Sequence, residues 1–75
     1  MWIEIGKNLI DTDKYQRFWK DEYSFTTNNK RGYMIMADKI IVFYSSAEDG
    51  DTSERDKEFN GLALILGSRK ILDED

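Results

Sequence analysis

Residues 45–59, SSAEDGDTSERDKEF, hold six carboxylates: Glu48, Asp49, Asp51, Glu54, Asp56 and Glu58. Carboxylates at this density could ligate a hard cation, exchange protons in pairs, or face a basic partner. A calcium loop needs oxygen ligands on alternate residues, and Asp49, Asp51 and Ser53 have that spacing. It also needs glycine at the sixth position and a bidentate Glu at the twelfth, where this chain has Glu54 and Asn60. A second start, Asp11, Asp13 and Tyr15 with Glu22, places Gln16 where the glycine must be. A phosphate loop fails as well. Gly61 and Gly67 enclose one residue too many, and Ser68-Arg69 follows where Lys and a hydroxyl are required. The chain has no His and no Cys. A zinc finger, a disulfide framework, dithiol redox chemistry, a Cys nucleophile and the usual neutral-pH general base are thereby excluded. No metal, no cofactor and no catalytic residue are expected.

The acidic run has two readings. It is a solvated loop entering a helix, with Glu54 and Asp56 favoured by the helix macrodipole. Or it is a docking surface of Glu48, Asp49, Asp51, Glu54, Asp56 and Glu58, with Met34 and Met36 as a neighbouring apolar contact. Charge is split along the chain: residues 1–47 carry a net +1, residues 48–75 a net −5. An acidic end disfavours direct nucleic-acid binding, since phosphate contacts need a basic surface. Trp2 and Trp19 offer stacking faces, and Lys30-Arg31 is the one basic tip. Together they make an alternative site for a phosphorylated ligand.

The elements that would position these residues come from periodicity. Seventy-five residues allow a single domain, 1–75, with a small core rich in large rings. WIEI reads as a short strand ending at Gly6, and NLID as a second extended piece. In DKYQRFWKDEYSF, Asp13 could cap a helix, but the later half favours a strand. TTNNKRG is a polar turn. YMIMADKIIVFYSS is one long strand or two strands joined near Asp38-Lys39. From Ser53 the period changes: Phe59, Leu62, Ala63 and Leu66 fall on one helical face, Ser53 and Asp56 resemble a capping box, and Gly67 suits the helix end. Asn60-Gly61 is the counter-signal, a dipeptide typical of hairpins. Residues 73–75 form a frayed acidic tail. The fold class expected is α+β: a small antiparallel sheet of four or five strands with one C-terminal helix.

WIEIGKNLIDTD resembles the opening of short uncharacterised bacterial and phage proteins that begin W-I-x-I-G-x-N-L-I-N-x-D, with Asp11 in place of the second Asn. The likeness covers about twelve residues of the 75. It implies a small antiparallel sheet followed by a C-terminal helix, and no assigned activity. No apolar run approaches the roughly 20 residues of a membrane span, and the N-terminus lacks signal-peptide features. The expectation is a cytoplasmic, non-enzymatic protein that contacts neither membrane nor nucleic acid. Its most concrete form is an inhibitor encoded by a phage or mobile element, whose acidic surface engages a basic nucleic-acid-binding host protein. That would be anti-CRISPR-like in size, acidity and absence of catalytic motifs. An assembly subunit pairing through a sheet edge, for instance as a homodimer, is a further alternative.

Overall fold

The computed structural model describes residues 1–24, 31–38, 40–47 and 50–72. Among these residues five strands and one α-helix follow one another: β1 (Trp2–Ile5), β2 (Asn8–Asp11), β3 (Phe18–Ser24), β4 (Arg31–Ala37), β5 (Ile40–Ala47) and α1 (Ser53–Leu66). All strand pairing within the sheets is antiparallel. The α+β class and the C-terminal helix match expectation. The single sheet does not, because β1 and β2 form a hairpin of their own beside the three-stranded sheet β3-β4-β5.

The reason for the split lies at the edges. A 3-10 turn over Thr12–Lys14 interrupts the extended chain between β2 and β3. Beside β5 the hairpin presents a side chain in place of a backbone ladder, Asn8 Nδ2 donating to the Val42 carbonyl at 3.4 Å. Beside β3, Phe18 donates its N–H to Lys70 O at 2.7 Å and accepts from Leu72 N–H at 2.9 Å. That short parallel contact with the C-terminal segment occupies the position another strand would need.

The hairpin still closes the core. Ile5 pairs with Asn8, which leaves Gly6-Lys7 as a two-residue loop with Gly6 at φ 61. Glycine at the first loop position suits the primed turns that match strand twist. A Cβ on Gly6 would stand 2.7 Å from the Phe43 ring. Ile3, Ile5, Phe18, Ile35, Ala37, Val42, Phe43, Phe59 and Leu62 form the core, with Ile10, Tyr15, Leu66 and Ile71 packed at its margin. Val42 is the extra residue of a bulge: Ile35 pairs with Phe43, but Met36 pairs with Ile41. The bulge turns Val42 inward, where it is 2% exposed. Strands β4 and β5 are separate and meet at Asp38, whose φ is 51.

α1 lies over all three strands of the larger sheet. Phe59 and Leu62 are buried, Ala63 and Leu66 half-buried, and Gly67 donates its N–H to Ala63 O at the helix end. Asn60-Gly61 is therefore helical rather than a hairpin turn. The helix begins one residue off the expected capping box. Thr52, not Ser53, is the cap, and its hydroxyl donates to the Asp56 carboxylate at 2.7 Å.

Two glycines should respond in opposite directions. A Cβ on Gly61 meets nothing within 4 Å, so Gly61→Ala should stabilise by up to about 1 kcal/mol. Gly6→Ala combines positive φ with a ring clash and should destabilise by about 1–3 kcal/mol. Urea denaturation of both variants checks this, and a loss of stability in Gly61→Ala would contradict the helix.

Candidate docking face and adjoining groove

Alternation along the strands sorts the three-stranded sheet into two faces. Phe18, Tyr33, Ile35, Ala37, Phe43 and Ser45 point toward α1 and are buried. The opposite face is read from the register in cross-strand rows. Trp19, Met36 and Ile41 form one row, Asp21, Met34 and Tyr44 the next, and Tyr23, Gly32 and Ser46 the third. This face is mostly apolar, with three aromatic residues, yet Tyr23, Ile41 and Tyr44 are 57%, 54% and 45% exposed. Gly32 lets the Tyr44 ring lie against the backbone, since a Cβ there would come within 2.5 Å of the ring. Met34 is almost covered between Asp21 and Tyr44, while Met36 is half-buried. Asp21 carries the one formal charge among these face positions, and its carboxylate accepts the Glu22 N–H at 2.8 Å.

The described members of the acidic run are placed differently. Asp51 Oδ1 accepts from the Ser53 N–H at 3.0 Å and the Ser53 hydroxyl at 2.7 Å. These bonds hold the Asp51 carboxyl below its ordinary range. Glu58 accepts the Gly6 N–H at 3.1 Å and so ties α1 to the hairpin turn. Asp56 sits among Thr52, Arg55 (3.2 Å) and Lys20 (3.7 Å). Partial burial works against its charged form. The Thr52 hydroxyl and the two cations outweigh that and keep the carboxyl below the ordinary range. Both cations also meet rings, Lys20 over Phe59 at 5.5 Å and Arg55 over Tyr33 at 5.2 Å. Arg55 further donates to Asp21 O at 3.0 Å. Asp51, Asp56 and Glu58 thus serve the fold, and among the described acids of the run Glu54 alone is exposed without a side-chain bond. Glu48 and Asp49 lie outside the described residues, as do Lys30 and the tail 73–75.

The alternative ligand site is not assembled from its expected parts. Trp2 is on the separate hairpin and 60% exposed. Arg31 pairs with Ser24 and Trp19 with Met36. Five residues of strand separate them, about 17 Å at strand rise. Trp19 instead lines a groove of about 450 Å3 with Gln16, Arg17, Asp38 and Leu72. Sequence reading missed Arg17, because its proximity to Asp38 and Leu72 comes from long-range contacts. It missed Tyr23, Ile41 and Tyr44 because an apolar alternation does not say which face a helix will cover. Among the described residues no group of His, Cys, Asp or Glu could hold a metal ion, and no helix is long and apolar enough to cross a membrane.

Comparison with protein-family models, with curated proteins and with solved structures finds no match to this chain.

The Asp56 cluster sets a pH dependence. Its folded pKa lies below the ordinary 3.8, so its contribution is present above that value and is lost as pH falls through the lowered one. Asp56→Asn should be less stable than the parent near pH 6, and the gap should close as pH falls below about 3.8. Melting temperatures across pH 2–7 test this; a constant gap would refute the ionic part of the cluster.

Proposed function

We propose that this protein is a non-enzymatic protein-binding module whose contact surface is the open face of β3-β4-β5. The observation that carries the reading is that Trp19, Tyr23, Met36, Ile41 and Tyr44 lie side by side on one sheet face that no described element covers. Three strands spaced about 4.8 Å apart present on the order of 300 Å2. That size is ordinary for a largest surface patch, so composition decides. Trp, Tyr and Met are the residue types that anchor interfaces, and here they are fixed on a sheet before any partner arrives. A standard interface needs about 800 Å2 from each partner, so this face is the centre and the surrounding polar positions complete it.

The partner is a protein that sets a Lys or Arg among apolar side chains, opposite Asp21. Charge supports this over a second copy, because a chain of net −4 repels itself. The internal hydrogen bonds of Asp51, Asp56 and Glu58 move the centre of the contact from the acidic run to the sheet face. Acidity then steers the encounter, which keeps a basic nucleic-acid-binding protein as the fitting class of partner. The same occupied carboxylates support binding over acid-base catalysis.

A photo-crosslinking residue placed at Ile41, with Leu64 as the control position, provides the test. Leu64 lies on the exposed side of α1 and is 88% exposed. Adducts in native extract should form from position 41 and not from 64. The crosslinked segment should contain Lys or Arg beside apolar residues, and Asp21→Lys should lower the yield about tenfold. Equal adducts from both positions, or an adduct between two copies of this chain, would overturn the proposal.

A further inference from the structure

We infer that the groove beside Trp19 is a binding site for an apolar or aromatic group that carries a carboxylate. Its volume, about 450 Å3, lies within the ordinary range of ligand sites. Three distant stretches build it, and backbone hydrogen bonds fix each of them. Phe18 holds the C-terminal segment through Lys70 O and the Leu72 N–H. Asp38 N–H donates to Arg17 O at 3.3 Å, and the Asp38 carboxylate accepts the Gln16 and Arg17 N–H groups at 3.2–3.3 Å. Asp38 is also the described non-glycine residue at positive φ. The hairpin tip is held in a sparsely populated conformation by the bonds that shape the groove.

The polar groups in the groove are unequal. Both Asp38 oxygens are turned to backbone N–H groups. The Arg17 guanidinium makes no hydrogen bond or ion pair among the described residues, so the group on offer to a ligand is a cation with a planar fork. That fork matches a carboxylate in two-point contact. Trp19 and Leu72 supply the apolar wall. The charge of Asp38 in the same groove disfavours a dianion, which separates this site from one for phosphate. The ligand is either a free small acid or the C-terminal residue of a protein. The site shares Trp19 with the sheet face, but its charged groups, Arg17 and Asp38, lie outside the rows of that face.

The chain has two tryptophans, which makes the test internally controlled. Indole N–H signals of Trp19 and Trp2 are followed by NMR while N-acetylphenylalanine, its amide, phenyl phosphate, or a pentapeptide ending in Phe is added. The acid should shift Trp19 saturably and leave Trp2 in place, with the amide at least about tenfold weaker. Arg17→Gln, an exposed change that should preserve the Trp2 signal, should make acid and amide equal. Ile41→Lys should leave the titration unchanged, which separates this site from the docking face. Tighter binding of the pentapeptide than of the acid assigns the source to a protein terminus; the reverse assigns it to a small molecule. Equal shifts from acid and amide, movement of Trp2 alongside Trp19, retained acid preference in Arg17→Gln, or tighter binding of phenyl phosphate would each overturn the inference.

Discussion

A helix of 14 residues is about 21 Å long and 10 Å across, enough to shield one face of a three-stranded sheet. Among the described residues there is one such helix, α1, and it lies on the side of Phe18, Ile35 and Phe43. Hydrophobic burial on that side holds the fold, because the chain has no cysteine for a disulfide. No described element covers the other side. It carries Trp19, Tyr23, Met36, Ile41 and Tyr44, where alternation in a solvated sheet would ordinarily place polar residues. The β1-β2 hairpin does not relieve this. Ile3 and Ile5 go to the same core that the helix fills, and Gly6 packs on Phe43.

The charged residues follow the same logic. α1 reaches the sheet with Phe59 and Leu62 at its centre, and long cationic side chains close the gap around them. The Arg55 side chain is only 12% exposed, and its guanidinium lies over the Tyr33 ring, so its N–H groups need acceptors. Asp56 and the Asp21 carbonyl supply them. Such a pair is weak evidence of stability in itself, since desolvation offsets much of the attraction. The contacts that cross from α1 to β3, Arg55 to Asp21 O and Lys20 to Asp56, fix the rotation of the helix over the sheet. Glu58 fixes the helix against the hairpin in a similar way, with one charge-assisted bond to Gly6.

How much of this was legible in the sequence differs by range of interaction. Local signals were reliable where one period dominated. Phe59, Leu62, Ala63 and Leu66 located the helix, and its tertiary burial overrode the hairpin preference of Asn60-Gly61. WIEI and NLID were legible as extended pieces, but not as a hairpin apart from the main sheet, because Asn8–Val42 and Phe18–Lys70 are contacts between residues far apart in sequence. The acidic run looked like a surface because sequence shows charges without their partners. Asp56 meets Lys20 across 36 positions and Glu58 meets Gly6 across 52. The groove was not legible at all, since Arg17, Asp38 and Leu72 share no local pattern.

The sheet edges bear on whether the open face or the strand ends would attract a partner. Strand addition requires a row of unpaired N–H and carbonyl groups. At β3 the first such pair, on Phe18, is bound to Lys70 and Leu72, and the Glu22 N–H is bound to the Asp21 carboxylate. Lys20, Asp21 and Glu22 also place charge along that edge, a common protection against pairing. At β5 the Val42 carbonyl accepts from Asn8 and the bulge at the same residue twists the strand. Each edge is thus interrupted within a few residues, whereas the face between them is continuous from Trp19 to Tyr44. Association through the face buries rings without breaking a backbone hydrogen bond. Association through an edge would first have to displace Leu72 or Asn8, and the lower cost of the first route favours a partner laid on the sheet over a strand added to it.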